Sequence, residues 1–190
     1  MMKLIGDKVI VREINEEDIP LLWNFIYGTP NPEWKLWDAP YFPLGYLKLE
    51  KYKENLQNML KANEVPKVAI IERNGEIVGT VSFYWEHEPS RWLEVGVTIF
   101  QSNNWSGGIG TNALKLWIDY LFANLEIARV GLTTWSGNER MIKCAEKLGM
   151  MMEGRMRKCR YYNGEYYDSI RMGVLREEWN AWKKERESYC

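Results

Sequence analysis

The 190-residue chain holds one histidine, His87, and three cysteines, Cys144, Cys159 and Cys190. A single histidine excludes a two-histidine metal site and weakens any serine–histidine–aspartate arrangement. Three widely spaced cysteines with no CxxC give neither a disulfide framework nor a zinc site, so no metal is expected. No apolar run approaches the ~20 residues that a membrane helix needs, so no membrane partner is expected. The opening stretch, MMKLIGDKVIVREINEEDIP, lacks the apolar core of a secretory signal. A reducing cytoplasm is the simplest compartment for such a chain. Net charge is nearly absent too: 25 Lys+Arg stand against 26 Asp+Glu, giving −1. A bulk nucleic-acid binder normally carries a basic excess, so nucleic acid is not expected as a partner. Low net charge with 46% hydrophobic residues excludes disorder as the main state.

Aromatics are abundant instead: ten Trp, eleven Tyr and five Phe. They read either as packing, since these rings dominate cores, or as the lining of a pocket for a cation or flat ligand. The length fits one domain. No repeat, low-complexity tract or long linker divides it, so residues 1–190 are expected to form a single domain.

Local patterns give an element order. Residues 8–12 alternate as a strand. Asn15 followed by Glu16, Glu17 and Asp18 opens a helix with the apolar stripe Leu21, Leu22, Phe25 and Ile26. Gly28, Pro30 and Pro32 stop it. Residues 29–45 read as a proline-rich, aromatic loop, and residues 47–62 as a second helix. Strands are expected at 65–72 and 77–85 about the hairpin turn Asn74-Gly75, then at 92–100. A glycine-containing turn leads into a helix with Ile109, Ala113, Leu114, Trp117, Tyr120 and Leu121 on one face. A strand at 129–135, a helix at 139–148 ended by Gly149, strands at 153–162 and 166–175, and a charged helical C-terminus complete the chain. This order specifies a mixed α+β fold with at least one βαβ crossover.

The stretch from Glu94 to Thr111 carries the chemistry. A strand ends, a loop follows, and Gly107, Gly108 and Gly110 surround a helix start. A helix N-terminus presents unpaired N–H groups and a partial positive charge, and residues without a Cβ let a diphosphate approach the backbone. The segment lacks the Lys-Ser/Thr of a P-loop and the third glycine of a dinucleotide fingerprint. By itself it is an anion cradle or simply a tight turn that needs glycine.

The motifs in order resemble the GNAT superfamily of acyl-CoA-dependent N-acetyltransferases, and within it the subgroup of ribosomal-protein alanine and spermidine acetyltransferases. The resemblance is carried by Val11-Arg12-Glu13, by Leu93-Glu94-Val95-Gly96, and by Trp105-Ser106-Gly107-Gly108-Ile109-Gly110-Thr111. It continues through Asn138-Glu139-Arg140, Ala145-Glu146-Lys147-Leu148-Gly149-Met150, Gly164, Asp168 and Leu175-Arg176-Glu177-Glu178-Trp179. It implies a splayed central sheet flanked by helices and acetyl-CoA as cosubstrate. The diphosphate would rest on the backbone of Ser106, Gly107, Gly108, Ile109, Gly110 and Thr111, and the pantetheine arm would pair with Val97, Thr98 and Ile99. Asn138 matches a family contact to the CoA arm; it is equally a helix N-cap. Many relatives dimerise, so the resemblance allows a homodimer.

Two departures stand out. Gly107 replaces the family's loop lysine and Ser106 its glycine, which removes one cation. Ala145 occupies the position where many members carry a tyrosine general acid. A thiol with a pKa of about 8.5 leaves tolerably without one; Tyr161 and Tyr162 are candidate replacements.

Acetyl transfer needs a neutral amine, and an alkylammonium with pKa near 10 is only ~0.1% neutral at pH 7. Glu94, on the strand face opposite Leu93, Val95 and Val97, is the candidate base; it is equally a structural ion-pair partner. A backbone N–H near Val97 could hold the oxyanion. As in relatives, the acceptor pocket is expected from the first helices and following loop: Glu33, Trp34, Trp37, Asp38, Tyr41 and Phe42, with Tyr84, Trp85 and Glu86 on a neighbouring strand. Acid beside aromatic suits an ammonium; the same rings could serve only packing. The expected activity is transfer of acetyl to a primary amine: a protein N-terminus, a polyamine or another small amine. The alternatives are a non-catalytic CoA-binding regulatory module and a nucleotide binder using the same glycine loop.

Overall fold

A computed structural model describes residues 2–62 and 64–188. Its strands are β1 (Lys3–Ile5), β2 (Ile10–Arg12), β3 (Val68–Arg73), β4 (Glu76–His87), β5 (Trp92–Ile99), β6 (Arg129–Trp135), β7 (Met151–Tyr162) and β8 (Glu165–Leu175). Its helices are α1 (Ile19–Tyr27), α2 (Leu49–Lys61), α3 (Ile109–Asn124), α4 (Glu139–Lys147) and α5 (Arg176–Glu187). The sheet order is β1-β2-β3-β4-β5-β6-β8-β7. Five pairings, β1–β2, β2–β3, β3–β4, β6–β8 and β7–β8, are antiparallel. The β5–β6 pairing is parallel, with Glu94 opposite Gly131 as its register pair among the described residues. A parallel pair requires a crossover, which α3 provides. The expected mixed α+β architecture is therefore present.

The residues group into two compact units, Met1–Ser82 with Val97–Leu116, and Phe83–Gly96 with Trp117–Cys190. In the first, residues 6–9 form a turn closed by Gly6 N–H donating to Val9 O at 2.9 Å, so the strand expected at 8–12 shrinks to Ile10–Arg12 and gains β1 as a partner. Asn15 N–H donates to Asp18 Oδ2 at 2.7 Å, closing the acidic turn before α1. Arg12 bridges Asp18 and Glu72 at 2.8 and 2.7 Å. Burial pushes the Asp18 carboxyl up, but the hydrogen bonds from Arg12 and Asn15 and the Arg12 charge outweigh it and hold it below the ordinary value. Ile14, Ile19, Leu22, Trp34, Leu56, Ile70 and Phe100 form the core, with Phe25 stacked on Phe100 at 4.7 Å. Burial there, with the charge of Tyr27, pushes the Tyr52 phenol up to about 12.

The β3–β4 hairpin turns at Asn74 and Gly75, with φ of 52° and 81°, and β7–β8 turns at Asn163 and Gly164, with φ of 50° and 84°. Two successive positive φ values are what a two-residue type I′ turn requires, and Asn-Gly meets that demand most readily.

In the second unit, β6 and β8 pair from Arg129–Leu175 to Trp135–Ser169. Helix α4 ends with Gly149 N–H on Glu146 O and Met150 N–H on Ala145 O, a Schellman closure. Trp179 of α5 is fully buried, and its Nε1 donates to Asp119 at 2.8 Å. The Arg176 guanidinium donates to the carbonyls of Phe122, Leu125 and Ile127, satisfying acceptors that the end of α3 leaves open.

Candidate active site

The candidate residues fall into two sets, and each includes residues of β5. The first is the turn that opens α3. Trp105 Nε1 donates to Ile99 O at 2.9 Å, which folds the loop back on the end of β5. Ser106 and Gly108 adopt left-handed φ of 61° and 78°. Ser106 and Gly107 are exposed, and Gly108, Gly110 and Thr111 are half-buried. A Cβ built on Gly107 would meet only Ile109 Cγ1, at 4.0 Å, while one on Gly108 would lie 3.0 Å from Lys8 Nζ. The turn is thus open beside Gly107, whereas beside Gly108 the Lys8 side chain already stands where a Cβ would point. That fits the approach of a diphosphate to main-chain amides. Val97, Thr98 and Ile99 are half-buried on β5, and Gly79 of β4 presses against Thr98 O, where a Cβ would lie at 2.1 Å.

Asn138 belongs to the second unit and caps α4, accepting from Met141 N–H at 3.1 Å. Ala145 on that helix is fully buried. Tyr161 stands in ring contact with Tyr166 at 4.9 Å and Tyr162 with Trp135 at 6.2 Å.

The second set surrounds Glu94, which is 1% exposed. Its Oε1 accepts from Arg171 Nη1 at 2.6 Å. Its Oε2 accepts from Thr133 Oγ1 at 2.5 Å and from Tyr84 Oη at 3.0 Å. Arg171 Nη1 also donates to Glu86 at 3.2 Å, and the Arg129 and Arg171 guanidiniums lie over the Trp92 ring. The buried charge is therefore paired and hydrogen-bonded, as a buried carboxylate must be. Tyr84 is 47% exposed, so a buried carboxylate is linked to a phenol in contact with solvent. Burial raises the Tyr84 phenol, and the charge and hydrogen bond of Glu94 and the charge of Glu86 raise it further against Arg171. Tyr84 therefore stays protonated and donates. Thr133 and Arg171 were not among the sequence candidates. Their only signal is the strand alternation of β6 and β8, which does not say which strand lies beside β5.

Several residues expected in the acceptor pocket serve packing and loop bracing. Trp34 lies in the core, with Nε1 donating to Phe25 O at 3.1 Å. Glu33 accepts from Ser102 N–H at 2.9 Å, and the Trp37 ring meets Trp105 edge-on at 6.1 Å, so both brace the loop before α3. Asp38 is exposed, and Tyr41 packs half-buried on Phe42 at 5.0 Å. Of the set, Tyr84 touches Glu94.

Among the described residues no group of His, Cys, Asp and Glu side chains could hold a metal. His87 is exposed and bonds Ser90 at 2.6 Å. Cys144 and Cys159 are thiols, and Cys190 lies outside the described residues. No helix among the described residues is long and apolar enough to cross a membrane.

The family described as "Acetyltransferase (GNAT) domain" matches residues 8–151. An uncharacterised prophage-derived N-acetyltransferase, YokL, of Bacillus subtilis (strain 168) is 26% identical over 174 residues, 91% of this chain and 93% of that one. Spermidine N(1)-acetyltransferase of Escherichia coli (strain K12) is 31% identical over 113 residues, 59% of this chain and 60% of that one. The structure of a Vibrio cholerae spermidine N-acetyltransferase in complex with CoA and spermine matches with a TM-score of 0.74 at 18% identity, covering 91% of this chain and 98% of that one.

Proposed function

The chain belongs to the GNAT acetyltransferase family, and from that premise we propose that it transfers an acetyl group from acetyl-CoA to a primary amine. The observation that carries the proposal is the open glycine turn at the start of α3, with Gly108 at φ 78° and an exposed backbone at Ser106 and Gly107. The main-chain amides of Ser106 to Thr111 would hold the diphosphate, and Val97 to Ile99 would pair with the pantetheine amides. When bound, acetyl-CoA supplies an acyl group already activated as a thioester.

Glu94 precedes Val97 by three residues on β5, roughly 10 Å along an extended strand. In this reading Glu94 takes the proton that blocks attack by the acceptor ammonium. Because Glu94 is buried, the proton travels through Tyr84: the phenolic oxygen accepts it from the amine as the phenolic proton passes to Glu94 Oε2. Arg171 stays on Oε1 and keeps the carboxylate in place. No tyrosine acid stands at Ala145, so the thiol departs on its own acidity, about pKa 8.5.

The acceptor reads as a small cationic amine of the polyamine kind. The family relative that acts on spermidine supports this, as do the acids and rings at Tyr84, Glu86 and Trp92. A protein N-terminus is the other acceptor class. Thiol release from acetyl-CoA, followed over spermidine, spermine, monoamines and N-terminal peptides, tests the activity. Turnover with polyamines is expected; no turnover with any amine overturns the enzyme reading.

The buried Ala145 favours one alternative, a CoA-binding regulatory module. Tight CoA binding without turnover would identify it.

A further inference from the structure

We propose that Lys8 supplies the cation for the CoA diphosphate that the α3 turn itself lacks. The proposal rests on the CoA-binding reading above and extends it to a residue about a hundred positions away in sequence. Residues 102–110 contain no lysine or arginine. The turn between β1 and β2 docks on α3 and on the turn before it at three points. Lys8 N–H donates to Asn112 Oδ1 at 3.2 Å. A Cβ on Gly6 would lie 2.5 Å from the same Asn112 oxygen, so any larger residue there would have to displace the Asn112 amide. Lys8 Nζ donates to Gly107 O at 2.7 Å and stands 3.0 Å from where a Cβ of Gly108 would be.

The ammonium is therefore held against the same glycines whose amides form the cradle. An ammonium has three donors, and Gly107 O takes one of them. Two N–H bonds remain for phosphate oxygens, charge-assisted on both sides. The near-zero charge of the whole chain offers no broad attraction for an anion, which leaves the local cation to do it. Lys8 thus performs from the β1–β2 turn the role that Gly107 cannot.

The test compares wild type, Lys8→Met and Lys8→Arg by calorimetric titration with CoA, with dephospho-CoA and with pantetheine, the last by competition. Lys8→Met is expected to weaken CoA and dephospho-CoA equally, by about tenfold. It should leave pantetheine unchanged, and the gap should narrow as salt screens the contact. Lys8→Arg should retain most of the affinity. Unchanged CoA affinity in Lys8→Met overturns the proposal. So does an equal loss for CoA and pantetheine, which would make Lys8 a brace for the loop, and so does a loss confined to CoA, which would place the cation on the 3′-phosphate. Absence of CoA binding by the wild type would remove the underlying reading itself, and the proposal with it.

Discussion

Glu94 is where sequence and geometry say most about each other. A carboxylate on a central strand suggested either a base or an ion pair, and the structure makes it an ion pair that is also wired to an exposed phenol. Under the proposed mechanism Glu94→Gln lowers turnover about 100-fold at pH 7 and leaves the CoA dissociation constant within about twofold. A pH series checks the assignment. The deficit should shrink as pH rises toward the amine pKa near 10, because the acceptor then arrives neutral. A deficit that is constant with pH would instead mark Glu94 as a structural anion. Tyr84→Phe should follow the same profile, since it removes the relay and keeps the ring. Glu94 was legible because one strand pattern sets its face. Its partners were not, because Thr133 and Arg171 lie on strands whose place in the sheet no local pattern encodes. Lys8 escaped for a similar reason: its contact with Gly107 joins two loops far apart in the chain.

Single elements follow local chemistry closely. The Asn74-Gly75 turn, the Schellman end of α4 and the span of β6 all lie where the sequence put them, because each is decided by neighbours within a few residues. Strand β1 was missed, since three residues carry too little periodicity, and only pairing with β2 makes them a strand. The Arg12–Asp18–Glu72 cluster ties β2, β3 and the start of α1 together, and it gives a pH-dependent prediction. The Asp18 pKa is lowered in the folded protein, so its contribution is complete above the ordinary aspartate value, about 3.9, and is lost as pH falls through the lower folded value. Asp18→Asn should cost about 2 kcal/mol near neutrality, and urea denaturation should find the difference closing on acidification below about pH 4. A difference that grows in acid would contradict the direction of the shift. On α5, Trp179→Ala should destabilise by about 3–5 kcal/mol. It removes a fully buried ring and strands Asp119 with Lys183 alone. Denaturant titration reads this directly.

For the whole molecule, the order β6-β8-β7 could not be read from the chain, since hairpin strands β7 and β8 can add to the sheet by either partner. The glycine turn was readable, because a strand, a turn and a helix in immediate succession are a local signature, whereas the family was readable only as a resemblance carried by several motifs in order. A chain that binds CoA in its native form alone gains stability by mass action, about 2.7 kcal/mol at a hundredfold excess over the dissociation constant. For a protein of this size that is a rise of about 5–10 °C in thermal midpoint. ATP at the same concentration should give little or none, and an equal rise with ATP would favour a general nucleotide binder. The central claim, that the backbone at the start of α3 holds the CoA diphosphate, is tested most directly by titrating CoA into wild type and Gly108→Glu, where a carboxylate would stand over the turn. Saturable binding to the wild type and none to a folded Gly108→Glu is the predicted result; equal affinity in the two proteins would contradict it.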